Sequence, residues 1–202
     1  MSVVERAVEA VRAGRLVVLP TDTVYGLACD PSREDAVRRL SELKGRSPGK
    51  PIALVAASVD QLLEAVPELR GSAETLARSL LPGPLTLVLP NPAHHFPGLA
   101  GARADTIGVR VPELAGPGRE TLERVGPVAA TSANLHGGPD PARLEDVPRA
   151  ILDGVSATVD GGVLPGMPST VLDLTGDRPR VLREGAVPAE DALARAARAL
   201  SE

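Results

Sequence analysis

The chain has 202 residues, 43% of them hydrophobic and 24% charged, a balance that supports a sizeable core and excludes a disordered polymer. A formal net charge of −4 argues against a broadly basic nucleic-acid binder, and aromatics at 1% (Tyr25 and Phe96, no Trp) leave no platform for stacking bases. Cys29 is the single cysteine, so neither an intrachain disulfide nor a cysteine-based zinc site can form.

In chain order, Ser2-Val3-Val4-Glu5 has the form of a capping box opening a helix through Val8 and Val11, with Gly14 as its stop. Leu16 to Leu19 reads as a buried strand ended by Pro20. A second helix, capped by Ser32, carries Ala36, Val37, Leu40 and Leu43 and stops near Gly45. Ile52 to Val55 is strand-like, Ser58 opens a short helix, and Ser72 to Leu81 forms another. Short apolar runs follow at 85–89, 107–111, 128–130, 157–159, 171–174 and 181–182, interleaved with helical segments at 120–125, 142–152 and 190–200. Such alternation predicts a mixed α/β fold with one main sheet, most simply as one domain over 1–202. Glu5, Arg6 and Glu9 break any apolar leader and no stretch reaches membrane-spanning length, so no membrane association and a cytoplasmic location are expected. Cys29 reads as a small buried hydrophobe.

The polar residues gather at element ends. The chain holds two lysines, Lys44 and Lys50, both in the segment Lys44-Gly45-Arg46-Ser47-Pro48-Gly49-Lys50-Pro51. Compact ammoniums there suit phosphate oxygens or a carboxylate. The segment is not a P-loop, because the glycine spacing is one short and Pro51 replaces the magnesium-binding hydroxyl. Pro20-Thr21-Asp22-Thr23-Val24-Tyr25-Gly26-Leu27 follows the first strand as a cluster of side-chain oxygens. Leu81-Pro82-Gly83-Pro84-Leu85-Thr86 reads as a rigid structural turn. Period-two alternation puts Thr106, Gly108 and Arg110 on one face, where Arg110 needs an anion: Asp22, another carboxylate or a bound ligand. Thr131-Ser132-Ala133-Asn134, Pro168-Ser169-Thr170 and Arg183-Glu184-Gly185 add further small polar groups. If these loops converge they form a pocket for a polar, anionic ligand. His94, His95 and His136 show no metal-ligand spacing, and no nucleophile elbow or Cys/His pair is present. Phosphoryl or nucleotidyl transfer, which depends on positioning and charge stabilisation, fits that inventory.

Taken together and in this order, Pro20–Leu27, Lys44-x-Arg46-x-x-x-Lys50-Pro51, Pro82–Thr86, Val109–Pro112, Thr131–Asn134, Ser169–Val171 and Leu182-Arg-x-Gly185 resemble the Sua5/YrdC/YwlC family over roughly residues 15 to 187. The resemblance implies a twisted mixed sheet with flanking helices and an open concave cavity. It implies synthesis of threonylcarbamoyl-adenylate from L-threonine, bicarbonate and ATP, with pyrophosphate released, for the t6A modification of tRNA. By the same resemblance Thr23, Lys50, Arg110 and Ser169 lie on the L-threonine side. Lys44, Arg46, Thr106, Ser132, Asn134 and Arg183 lie around ATP. No dedicated catalytic base is identified; Lys44, Arg46 and Lys50 are the electrostatic candidates. The resemblance further implies that Mg²⁺ accompanies ATP, although the sequence offers no dedicated carboxylate cage for it, and that a downstream threonylcarbamoyl transferase complex takes the product.

The chain is expected to represent the short form, ending at Glu202 without the further C-terminal domain of longer members. The family pattern places a serine near position 136, where this chain has His136. Two other classes stay open on the residues: a module making weak RNA contacts through the concave sheet face, and a relative of carbamoyl-transfer domains.

Overall fold

A computed structural model describes residues 1–47 and 49–201; Pro48 of the lysine segment and Glu202 lie outside the described residues. The helices are α1 (Val3–Arg12), α2 (Glu34–Lys44), α3 (Val59–Ala65), α4 (Ser72–Leu80), α5 (Gly116–Val125), α6 (Arg149–Gly154) and α7 (Ala189–Ala199). The strands are β1 (Val17–Leu19), β2 (Gly26–Cys29), β3 (Ala53–Val55), β4 (Leu85–Pro90), β5 (Thr106–Arg110), β6 (Val128–Ser132), β7 (Ala157–Thr158), β8 (Thr170–Asp173) and β9 (Arg180–Arg183). All nine strands join one mixed sheet in the order β7-β1-β2-β6-β3-β5-β4-β8-β9. No helix among the described residues is long and apolar enough to cross a membrane.

Local signals set several boundaries. Ser2 and Glu5 exchange the reciprocal bonds of a capping box at the start of α1, and Ser58 Oγ accepts from the Gln61 amide at the start of α3. α2 differs from the sequence reading. Its N-cap is Arg33 with no side-chain bond, because the Ser32 hydroxyl donates to Asp30 Oδ1 at 2.6 Å instead. The helix expected over 142–152 is divided. A 3₁₀ turn at Leu144–Asp146 is followed by Pro148, whose ring cannot continue a helix, and α6 begins after it. β2 is not among the strands read from sequence, where Gly26 and Leu27 closed the polar turn; it pairs antiparallel with β1 and β6 and inserts Gly26–Cys29 into the sheet.

Period-two alternation gives the sheet two apolar faces. Val17, Leu19, Ala28, Val55 and Val128 point to one side, against Ala7, Ala10 and Val11 of α1 and Leu122 of α5. Val18, Leu27, Cys29, Leu54, Leu87, Val109 and Leu172 point to the other, against Val37 and Leu40 of α2, Leu62 and Leu63 of α3, Leu76 of α4 and Ala192 and Ala196 of α7. Cys29 fills space there. Burial and the nearby Asp30 push its thiol up to about 12, so it stays protonated and inert.

The first face is only half covered. α1 and α5 pack together over the β7-β1 side and leave the same face of β3, β5, β4 and β8 open. Its floor is a register row of small or slender residues: Ala130 beside Ala53, Ala53 beside Gly108, and Gly108 beside Val88. Asp173 on β8 continues the row beyond Val88.

Candidate active site

The open half-face is the floor of a cavity of about 430 Å³. Arg46, Arg103, Arg110 and Arg183 stand in its wall with Thr21, Thr86, Thr106, Thr131, Ser132 and Ser169, and no carboxylate is among the lining residues described. Burial pushes the Arg46 guanidinium below its ordinary value, and the charge of Arg183 adds to the effect. A cavity in which cations raise one another's cost favours a ligand carrying several negative charges.

Arg110 ends β5 with 7% of its surface exposed. Its Nη2 donates to Asp22 Oδ1 and, at 2.6 Å, to Thr23 Oγ1, while its buried Nε has no partner among the described residues. Asp22 also accepts from the Glu113 amide at 3.1 Å, which fixes the carboxylate. The Thr21 hydroxyl lies 3.0 Å from that of Thr23 and donates to the Val24 carbonyl at 2.7 Å, folding the polar turn back on itself. Burial and Arg183 push Arg110 down, and Asp22 holds it up.

On the opposite wall the Thr86 and Ser169 hydroxyls lie 2.8 Å apart. Arg183 Nη2 donates to the Ser169 carbonyl at 2.6 Å and reaches its hydroxyl at 3.2 Å. Gly185 makes this approach possible. A Cβ there would stand 2.1 Å from the Pro168 carbonyl oxygen and 2.7 Å from that of Ser169, so only glycine fits.

Lys44 does not reach into the cavity. At the last position of α2 it is 4% exposed, and its ammonium donates to the Ser132 carbonyl at 2.6 Å, the Asn134 carbonyl at 2.9 Å and Asn134 Oδ1. Burial, then the charge of Arg46, pushes it down to about 8. Its role is to tie the end of β6 to α2, with the Asn134 amide nitrogen donating onward to the Gly138 carbonyl at 2.6 Å. The resemblance put Lys44 around ATP; here its desolvated amine spends its hydrogens on oxygens of Ser132 and Asn134.

Lys50 also turns aside. Gly49 and Pro51 line the cavity, while the Lys50 ammonium lies 3.4 Å from His136 Nε2 at the exposed surface. His136 lies against this loop; its amide donates to the Lys44 carbonyl at 2.9 Å.

Of the residues singled out from sequence, Arg46, Thr106, Arg110, Ser132, Ser169 and Arg183 line one cavity. Thr23 stands directly behind Arg110, and Lys44 and Asn134 stand together behind Ser132. Sequence reading missed Arg103, which no periodic signal marks, and set Thr86 aside as part of a structural turn. Period two from Leu85 and Leu87 would have placed Thr86 on the cavity side of β4.

A family model described as Sua5/YciO/YrdC, telomere recombination, matches residues 9–185. The chain is 41% identical over 184 residues to the threonylcarbamoyl-AMP synthase of Pyrococcus abyssi, covering 90% of this chain but 53% of that protein, so it spans about half the length of that relative. It is 38% identical to the putative threonylcarbamoyl-AMP synthase of Mycobacterium tuberculosis, covering 91% of this chain and 84% of that one. The crystal structure of P. abyssi Sua5 complexed with L-threonine superposes with a TM-score of 0.85 at 37% identity, over 95% of this chain and 56% of that chain. With a family model matching most of its length and curated relatives of more than 30% identity, the chain belongs to the Sua5/YciO/YrdC family.

Proposed function

We propose that this protein forms threonylcarbamoyl-AMP and pyrophosphate from L-threonine, bicarbonate and ATP, supplying a threonylcarbamoyl transferase that modifies tRNA. The observation that carries this reading is the cavity itself: four arginines and a ring of hydroxyls around one open half-face, with no carboxylate in the lining described. That composition suits a substrate set of an amino acid carboxylate, bicarbonate and a triphosphate.

In this reading the amino acid carboxylate meets Arg110, whose position is held by Asp22, with Thr23 behind it and Ser169 in the same cavity wall. ATP meets Arg46, Thr106, Ser132 and Arg183, with Lys44 and Asn134 holding β6 in place from behind. The threonine amine attacks the carbon of bicarbonate, and loss of water leaves N-carboxythreonine. An oxygen of the new carboxylate attacks the α-phosphorus in line, and the bond to the leaving pyrophosphate breaks. Wall cations neutralise the charge that builds on the phosphoryl oxygens and the departing group, which is where electrostatic catalysis has most leverage. Mg²⁺ finds no cluster of three His, Cys, Asp or Glu among the described residues. An ion entering with ATP would be held by phosphate oxygens and water.

Pyrophosphate release from ATP, measured with and without L-threonine and bicarbonate, tests the proposal. Release that requires both supports it. Release indifferent to threonine, or salt-sensitive RNA binding with no ATP turnover, overturns it.

A further inference from the structure

Arg103 is a cavity-wall residue to which the family resemblance assigns nothing. It sits in the turn before β5 and is anchored at both ends of its guanidinium. Nη1 donates to Asp173 Oδ2 at 2.9 Å and Nη2 to Thr175 Oγ1 at 2.8 Å. The carboxylate that holds it is 1% exposed and has little freedom to move. Its Oδ1 accepts from the Thr175 amide at 3.0 Å and from the Thr175 hydroxyl, and its Oδ2 also takes Arg180 Nη2 at 2.9 Å. Two arginines share one carboxylate, so the cluster keeps one uncompensated positive charge. Of the two, Arg103 lines the cavity and Arg180 does not.

The backbone of the Arg103 turn is fastened to the lysine loop. The Ala102 amide donates to the Gly49 carbonyl at 2.9 Å, and Gly101, at φ +66°, lies so close that a Cβ would stand 2.6 Å from that same oxygen. Thr106 closes the turn from the other side, its hydroxyl donating to the Arg103 carbonyl at 2.9 Å. The turn therefore has little room to swing, and its arginine is aimed before any ligand arrives. Position then separates roles. Thr106 and Arg110 are the two ends of β5, roughly 13 Å apart at the rise of an antiparallel strand. Arg103 precedes the Thr106 end, while Arg110 ends the strand at the other.

We propose that Arg103, aimed by Asp173 and Thr175, binds the pyrophosphate end of the nucleoside triphosphate and stabilises it as it leaves. The inference rests on the reading of the cavity as a nucleotide site and adds the group that recognises the leaving portion. A planar guanidinium already held on one edge presents its remaining surface to phosphate oxygens at little cost in side-chain entropy.

The test is calorimetric binding of pyrophosphate and, separately, AMP to the wild-type protein, Arg103→Gln and Arg180→Gln. Arg180→Gln removes the other partner of Asp173 without touching the cavity, so it reports any structural effect of disturbing that carboxylate. Arg103→Gln is expected to weaken pyrophosphate by at least about tenfold, the loss of a charge-assisted contact, and AMP by less than about twofold. Arg180→Gln is expected to change neither by more than about twofold. Unchanged pyrophosphate affinity in Arg103→Gln overturns the proposal, as does equal weakening by Arg180→Gln, AMP loss without pyrophosphate loss, or a wild-type protein that binds no pyrophosphate. Threonine is absent from these titrations, so they stand apart from the question of whether threonine is the amino acid substrate.

Discussion

Arg110 and Asp22, 88 residues apart in the chain, meet as an ion pair whose side chains are 9% and 10% exposed. Arg110 belongs to the cavity wall and, through Asp22, to the scaffold at once. Arg110→Ala strands a carboxylate in a largely dry site, a loss on the order of 3–5 kcal/mol. Urea denaturation is expected to show that loss for the single variant and a partial recovery when Asp22→Asn is added. Threonine-dependent pyrophosphate release is expected to stay absent in both. Full activity in the double variant would mean that Arg110 serves the fold alone.

Lys44→Met keeps the length of the side chain and removes its ammonium. The carbonyls of Ser132 and Asn134 and the Asn134 amide oxygen would lose their shared donor. Leaving buried acceptors unmet costs about 1–3 kcal/mol, so a lower urea midpoint with an unchanged slope is expected. Since Lys44 stands behind the wall, activity should fall through displacement of Ser132, as a raised KM for ATP with a smaller change in kcat.

Asp173 gives a pH signature. Burial raises its carboxyl, but hydrogen bonds from Thr175, Arg103 and Arg180 outweigh that and bring it from 3.8 down to about 2. With the folded value below the unfolded one, its contribution to stability is fully present above pH 3.8 and is lost as pH falls toward 2. Between those limits the wild-type protein is expected to lose stability more steeply than Asp173→Asn, as followed by denaturant titration at each pH. Parallel slopes would show that this carboxylate is not held down by its partners.

Gly185→Ala tests the tight crossing under Ser169. The new methyl meets the Pro168 and Ser169 carbonyls at distances real Cβ atoms do not show, so the 168–170 segment must shift. Overpacking of this kind costs about 1–3 kcal/mol. Because the displaced segment carries Ser169, whose hydroxyl pairs with that of Thr86 on β4, a larger effect is expected on KM for threonine than on thermal stability. A normal KM would show that Ser169 does not touch the amino acid.

How much of this was legible from residues alone depended on the range of the forces involved. The capping box at Ser2 and the Ser58 cap act within four residues, and both appeared in the structure where the sequence put them. The polar clusters at strand ends were legible because side chains that do not suit a core must lie at its edge. β2 was hidden: Gly26, Leu27, Ala28 and Cys29 carry no β-branched residue, and only pairing with β1 and β6 makes them a strand. Arg103 was hidden for a similar reason, its direction being set by Asp173, 70 residues further on. Lys44 was legible as unusual but its partners were not, because the Ser132 and Asn134 oxygens that claim it lie 88 and 90 residues further on. Spacing along the chain marked which groups were special, and long-range pairing decided where each one points.

The half-face that α1 and α5 leave bare has a consequence for the protein's lifetime. An enclosed sheet carries its second layer permanently; under the proposed function that layer would be completed by bound substrates, whose occupancy would add to stability by mass action. Starved of its substrates, the molecule would open more often and be degraded sooner, so that its abundance in a cell would follow the supply of the compounds it consumes.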